Sequence, residues 1–258
     1  MEILRPENRQ GTLSFLKKHL PLSLPALAFV EHATPQDLEQ CQVSPDAFLR
    51  VAPDGQLLFI GNLARVESLP SHVNRIYAEP ANAQRLWERI RKPGQEPFFV
   101  RELYFHLPLS DAENRGPDAD TRPLAADDFS AWYRCYDGLL RDWGAPESWI
   151  SPSVEKSFLQ RVKDGQVIGL FRGRDLVSTA ALSEVHDGWS RIGWVYTAPE
   201  HRKQGLAQKV MRSLLHRARE MGIRDLALYT NEKNYRAHHL YEPLGFRVIG
   251  DVGIVGIR

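Results

Sequence analysis

The chain has 258 residues, 43% of them hydrophobic and 25% charged, a make-up that excludes disordered and fibrous classes and leaves room for one large or two modest domains. Its 33 basic residues nearly balance its 32 acidic ones, so no overall field steers it toward nucleic acid or an anionic membrane, and any anion site must be local. Cys41 and Cys135 stand far apart without metal-ligand spacing, which argues against a disulfide framework and a zinc site and fits a reducing cytoplasm.

The first apolar stretch, residues 20–30, is interrupted by Pro21 and Pro25 and followed by Glu31 and His32. It lacks a small-x-small cleavage site and falls short of the roughly 20 residues a membrane span needs, so neither export nor insertion is expected. Residues 47–51 and 56–60 flank Pro53-Asp54-Gly55 and read as two strands joined by a tight turn. Residues 81–90 then read as a helix and 98–106 as a strand, so that residues 1–108 make a small α+β domain whose sequence names no chemistry. The polar, turn-rich run that follows, with Asp111, Glu113, Asn114, Gly116, Pro117 and Asp118, supplies a linker at 109–120.

From 121 to 258 the pattern sharpens. Helices are expected from Asp127-Asp128 to about 140 and over 153–162. Strands at 166–171, 176–185 and 190–197 form a meander turned at Gly173 and Asp187-Gly188. Residues 203–221 place Leu206, Val210, Met211, Leu214, Leu215 and Ala218 at helical spacing, with Gly222 as the stop. A strand at 225–230, a helix at 235–244 ended by Gly245, and closing strands over 246–257 complete the chain.

The junction Val195-Tyr196-Thr197-Ala198-Pro199-Glu200-His201-Arg202-Lys203-Gln204-Gly205-Leu206-Ala207 joins a strand to a long amphipathic helix. A helix start offers free amides and partial positive charge, and Gly205 lets a ligand approach the backbone closely; pyrophosphate suits such a place. Arg202 and Lys203 add cationic charge. Arg202, Gly205 and Ala207 together resemble the R-x-x-G-x-A signature of the GNAT superfamily of acetyl-CoA-dependent N-acetyltransferases. The resemblance implies that Val195, Tyr196 and Thr197 present backbone groups to the pantetheine arm and thioester, and that Arg202, Lys203, Gln204, Gly205, Leu206 and Ala207 cradle the pyrophosphate.

A second block runs from Asn234 through Ala237, Leu240, Tyr241 and Gly245 to Phe246, and resembles the family's N-x-x-A-x-x-L-Y-x-x-x-G-F. It implies a coenzyme contact for Asn234, which would otherwise serve as a helix cap, and a general-acid role for Tyr241. A phenol with a reference pKa near 10 is protonated at neutral pH and can donate to a departing thiolate. The implied fold is α/β (α+β mixed), a central mixed sheet flanked by helices, preceded by a smaller domain that reads as a worn copy of the same fold lacking the cradle and binding no coenzyme. That domain would cover the acceptor pocket or form a homodimer.

A lysine-like acceptor has fewer than about one molecule in a thousand neutral at pH 7, so something must take its proton. Glu184, His186 and Asp187 near the hairpin are the candidates, Glu184 foremost, directly or through water. Residues 133–149, with Tyr136, Asp137, Asp142, Trp143 and Glu147, are either acceptor-pocket walls suited to a cationic amine or the core face of a helix. No cysteine lies in either block to carry an acyl group, which favours direct attack of an amine on acetyl-CoA. The rival reading is a non-catalytic acyl-CoA-binding sensor or structural protein. A P-loop and a dinucleotide fold are excluded by the glycine spacing.

Overall fold

A computed structural model describes residues 1–144 and 153–257. The chain forms two compact units, one of Met1–Phe105, Tyr229–Tyr235 and Val248–Arg258, the other of His106–Leu228 and Arg236–Arg247.

The first unit opens with β1 (Glu2–Ile3), α1 (Arg9–Lys17), α2 (Leu24–His32) and the short α3 (Pro35–Leu38). Then β2 (Cys41–Ser44), β3 (Ala47–Val51) and β4 (Gln56–Gly61) form an antiparallel meander, and β5 (Arg75–Ala78) pairs parallel to β4. Strand alternation sorts the side chains onto two faces. Ala47, Leu49, Val51, Leu57 and Phe59 pack with Ala83, Leu86 and Trp87 of α4 (Pro80–Ile90), while Phe48 and Ile60 pack with Leu16, Leu27 and Val30 of α1 and α2. The apolar run 20–30 is therefore largely the buried helix α2, with Pro25 in its first turn, where a missing amide does no harm. It carries no amphipathic stripe to betray it.

After β6 (Phe98–Pro108), the second unit contains β7 (Thr121–Pro123), α5 (Phe129–Trp143), α6 (Val154–Lys163), β8 (Val167–Arg172), β9 (Asp175–His186) and β10 (Trp189–Thr197). The last three are the expected antiparallel meander. Next come α7 (Leu206–Glu220), β11 (Asp225–Asn231), parallel to β10, and α8 (Tyr235–Tyr241) with a 3-10 turn through Leu244. The helix expected from 203 starts instead at Leu206, because Lys203 and Gly205 both hold left-handed φ, at 61° and 74°. The closing segment is a single strand, β12 (Arg247–Gly256), whose Gly253–Gly256 pair with β5. Residues 1–108 thus do not contain the whole first unit.

The polar stretch 109–120 is fastened onto the second unit. Arg219 of α7 donates to the carbonyls of Leu109 (3.2 Å) and Ala112 (2.8 Å), the Asp118 amide donates to Ser213 Oγ (2.9 Å), and Lys209 pairs with Asp120 (2.7 Å). Turn formers leave carbonyls outside any ladder, and α7 satisfies them.

The two units share one succession, a three-stranded meander followed by a parallel fourth strand. They differ in the connection: β10 leads to β11 through the 15-residue α7, whereas β4 leads to β5 through a 3-10 turn, Leu63–Arg65. Among the described residues no helix is long and apolar enough to cross a membrane.

Candidate active site

β10 is regular at its start and irregular where the chemistry is expected. Its ladder with β11 covers Trp189–Arg191 against Asp225–Ala227, after which β10 keeps only the β9 ladder. On that side Gly193 faces Ala181 and Tyr196 faces Thr179, so Trp194 and Val195 together oppose Ala180: one extra residue, a β-bulge. Trp194 absorbs it with φ 55°. The residues from Gly193 to Thr197 are all partly exposed. Val195, Tyr196 and Thr197 thus lie on a strand whose β11 side is unpaired, while Tyr196 and Thr197 stay paired to β9.

The edge is braced from behind. Ser178 Oγ donates to the Tyr196 carbonyl (3.0 Å) and can accept from Thr197 Oγ1 (2.8 Å). Arg202 Nε donates to the Thr197 carbonyl (2.9 Å), and Arg202 is also ion-paired with Asp142 and lies over the Tyr196 ring. Arg202 is therefore a clamp between β10, the cradle loop and α5 as much as a phosphate ligand. The Tyr196 phenol crosses α5 at Gly138, where a methyl group would meet its oxygen at 2.2 Å. Burial, then the Asp142 carboxylate, raises the Tyr196 pKa, so its phenol stays neutral.

The cradle lies at the start of α7. Gly205 is its N-cap, in the left-handed region and with no side-chain cap. A side chain there would meet nothing within 4 Å, so glycine is needed for its φ and leaves open space in front of the helix. The amides of Gly205, Leu206, Ala207 and Gln208 have no acceptor within the helix; Lys209 makes the first bond, to the Gly205 carbonyl (3.2 Å). Lys203 and Gln204 lie in the loop ahead of them.

Tyr241 ends α8, is 6% exposed and packs against Phe246, whose amide donates to the Tyr241 carbonyl (3.3 Å). Asn234 belongs to the first unit; it is exposed, and its amide group donates to Thr230 Oγ1 (3.3 Å).

Glu184 is the residue most changed by context. It holds φ 48° in a second bulge, on β9, and its carboxylate is gripped at both oxygens by Arg191 of β10, with Arg191 Nη2 to Oε1 at 2.6 Å. Burial alone would raise its pKa, but the Arg191 charge and hydrogen bonds, together with Arg161, hold it below the usual glutamate value. It is ionised at neutral pH and a weak base. His186 is buried and Asp187 sits in the hairpin turn, φ 47°.

Above this pair lies an aromatic wall. Trp194, turned by the bulge, packs 4.5 Å from Trp132 and 6.2 Å from Tyr136, and the Arg161 guanidinium of α6 covers its ring at 4.4 Å. Trp132 is fully buried, so for it the core reading holds. Asp137 and Asp142, expected to attract a cationic amine, are already paired with Arg141 and Arg202. Glu147 and Trp149 lie outside the described residues. Sequence reasoning missed Arg161, Arg191 and Trp194. Arg191 carried a faint signal, a lone charge inside an otherwise uncharged strand; Arg161 carried none.

The pattern described as the Acetyltransferase (GNAT) family matches residues 120–246. N-acetyltransferase family 8 member 2 of Rattus norvegicus is 30% identical over 124 residues, 46% of this chain and 52% of the relative, so the chain spans about half the length of that protein. Among solved structures, a Drosophila protein has a TM-score of 0.69 at 12% identity, over 100% of this chain and 99% of its own. A GCN5-related N-acetyltransferase from Sphaerobacter thermophilus reaches 0.62 at 16% (98% and 93% covered), and one from Kribbella flavida 0.60 at 16% (92% and 93%). These likenesses establish the fold over both units, the first included.

Proposed function

Residues 120–246 are a domain of the GNAT acetyltransferase family, and from that premise we propose that the chain transfers the acetyl group of acetyl-CoA to a primary amine by direct attack. The observation that carries the proposal is the continuity of bulged β10, freed from β11 beyond Arg191, with the uncapped left-handed start of α7. One end offers backbone donors to a thioester; the other offers four helix amides to a pyrophosphate.

In this reading Val195 and Thr197 orient the pantetheine and thioester, and Arg202 to Ala207 hold the pyrophosphate. The neutral amine nitrogen attacks the thioester carbon and the oxyanion that forms is met by β10 backbone N–H groups. Collapse expels the CoA thiolate, which takes its proton from the Tyr241 phenol. The amine's surplus proton leaves through water toward ionised Glu184. Two arginines beside one carboxylate give that region net positive charge, which lowers the pKa of a bound ammonium and favours its reactive neutral form. Asn234 is assigned to the coenzyme by resemblance. Both cysteines are buried, with thiols pushed up to about 12 (Cys41) and about 11 (Cys135) chiefly by burial, which agrees with transfer without an acyl-cysteine intermediate. A cytoplasmic setting belongs to the same reading.

Turnover of an amine panel by wild type and Tyr241→Phe tests it. The variant is expected to bind acetyl-CoA as wild type does and to lose roughly 100-fold in kcat. Equal loss of binding and turnover would remove Tyr241 from the acid role, and wild-type binding without turnover of any amine would identify a sensor.

A further inference from the structure

Arg161 has a place in the site and, among the described residues, no carboxylate of its own. Arg161 is partly buried, its guanidinium lies over the Trp194 ring (4.4 Å to the centroid) and, among the described residues, it donates from Nη1 to the Ser157 carbonyl of its own helix (3.2 Å). Among the described residues no carboxylate lies within ion-pair distance of it. Burial draws its proton affinity down, the Glu184 charge opposes that, and the smaller repulsion of Arg191 adds to it, yet a guanidinium stays charged. The groups that act on one another here are Arg161, Arg191, Glu184 and the Tyr136 phenol, so the cluster carries one positive charge in excess. Glu184 is already occupied at both oxygens by Arg191.

Trp194, the ring under Arg161, is the bulge residue immediately before Val195. A partly desolvated cation with unused donors thus stands beside the strand segment on which transfer is proposed. A polyamine or any other acceptor bearing only positive charge would be repelled there. An acceptor bearing an anion next to its amine would supply the missing charge and place its nitrogen toward β10. We propose that the acceptor is an amine carrying a carboxylate, an amino-acid-like molecule whose carboxylate pairs with Arg161 across Trp194. Arg161 is then a specificity-determining residue, and the proposal rests on the transferase reading above.

The test compares glycine, phenylalanine and glutamine with their carboxamides, at saturating acetyl-CoA, for wild type, Arg161→Gln and Arg161→Lys. The same compounds are titrated by calorimetry into CoA-loaded protein. Wild type should favour each acid over its amide by about 10- to 100-fold in kcat/KM, the worth of one charge-assisted hydrogen bond. Arg161→Gln should erase that preference with the KM for acetyl-CoA unchanged, and Arg161→Lys should restore part of it. Equal use of acid and amide by wild type, or equal loss on both in Arg161→Gln, overturns the proposal. If acetyl-CoA binds but nothing is turned over, the transferase reading fails, and calorimetry decides the rest: amino-acid binding abolished by Arg161→Gln upholds the carboxylate site, and no binding overturns it.

Discussion

The two units run the same course, a meander and a parallel fourth strand, and they differ in the connection that joins the one to the other. In the second unit β10 is bulged and left half-paired, and the following helix begins in strained backbone with its amides uncapped. In the first unit β3 and β4 pair in regular register, the connection to β5 is a short turn, and α4 is capped: the Glu79 carboxylate accepts from the amides of Ala81 (3.3 Å) and Asn82 (3.2 Å). At the start of α4, which follows the fourth strand where α7 precedes it, a carboxylate of the chain itself takes up the free amides. Ligand capacity lies in what a fold leaves unsatisfied, and a shared strand order does not by itself supply it.

That contrast is sharpened first at Glu184. Replacing it with Gln leaves Arg191 and Arg161 without compensation in a partly buried place, and the expected loss is about 3 kcal/mol of stability, read by denaturant unfolding. Because the folded-state pKa of Glu184 lies below its ordinary 4.5, its contribution is complete above that value and fades as pH falls through the lower folded-state value. The wild-type-to-variant gap should thus stay constant across neutral pH and close on acidification; a gap that changes between pH 6 and 8 would contradict the pairing. For the same reason Glu184 should add no inflection to the pH–rate profile in that range.

A smaller effect is expected at Gly138. An alanine methyl would strike the Tyr196 oxygen at 2.2 Å, and moving the ring disturbs the braced edge of β10. A cost of about 1–3 kcal/mol, with a raised KM for acetyl-CoA, is expected; unchanged stability would mean that the ring swings aside freely. The smallest effect belongs to the first unit. Glu79→Ala should cost about 1 kcal/mol as a lost cap and leave acetyl-CoA affinity untouched. A change in that affinity would break the division of labour between the units.

Much of this was legible in the chain. The stripe from Leu206 to Ala218 announced α7, and the turn glycines Gly55 and Gly188, both at positive φ, marked their hairpins. The start of α7 was misplaced because Lys203 continues a helical pattern that its own left-handed backbone interrupts. α2 was unread because it is buried with apolar residues on several sides, leaving no period to find. Of the candidate site, the segments read as the cradle and as the acid Tyr241 stood out as local motifs. The cluster of Glu184, Arg191, Arg161 and Trp194 did not, since it joins two strands and a helix through two bulges, and a bulge alters which face a side chain takes without leaving a mark in the composition. The membership of β12 in the first unit was hidden likewise, because a ladder partner is a long-range choice.

The most direct measurement is a calorimetric titration of acetyl-CoA into wild type and Gly205→Glu, with circular dichroism to confirm that both are folded. A glutamate at Gly205 must hold φ 74° and puts a carboxylate into the space before the α7 amides. The expected result is one saturable site per chain in wild type and at least about 100-fold weaker binding in the folded variant. Undiminished binding by folded Gly205→Glu, or two equivalent sites per chain, would contradict a single cradle at the start of α7.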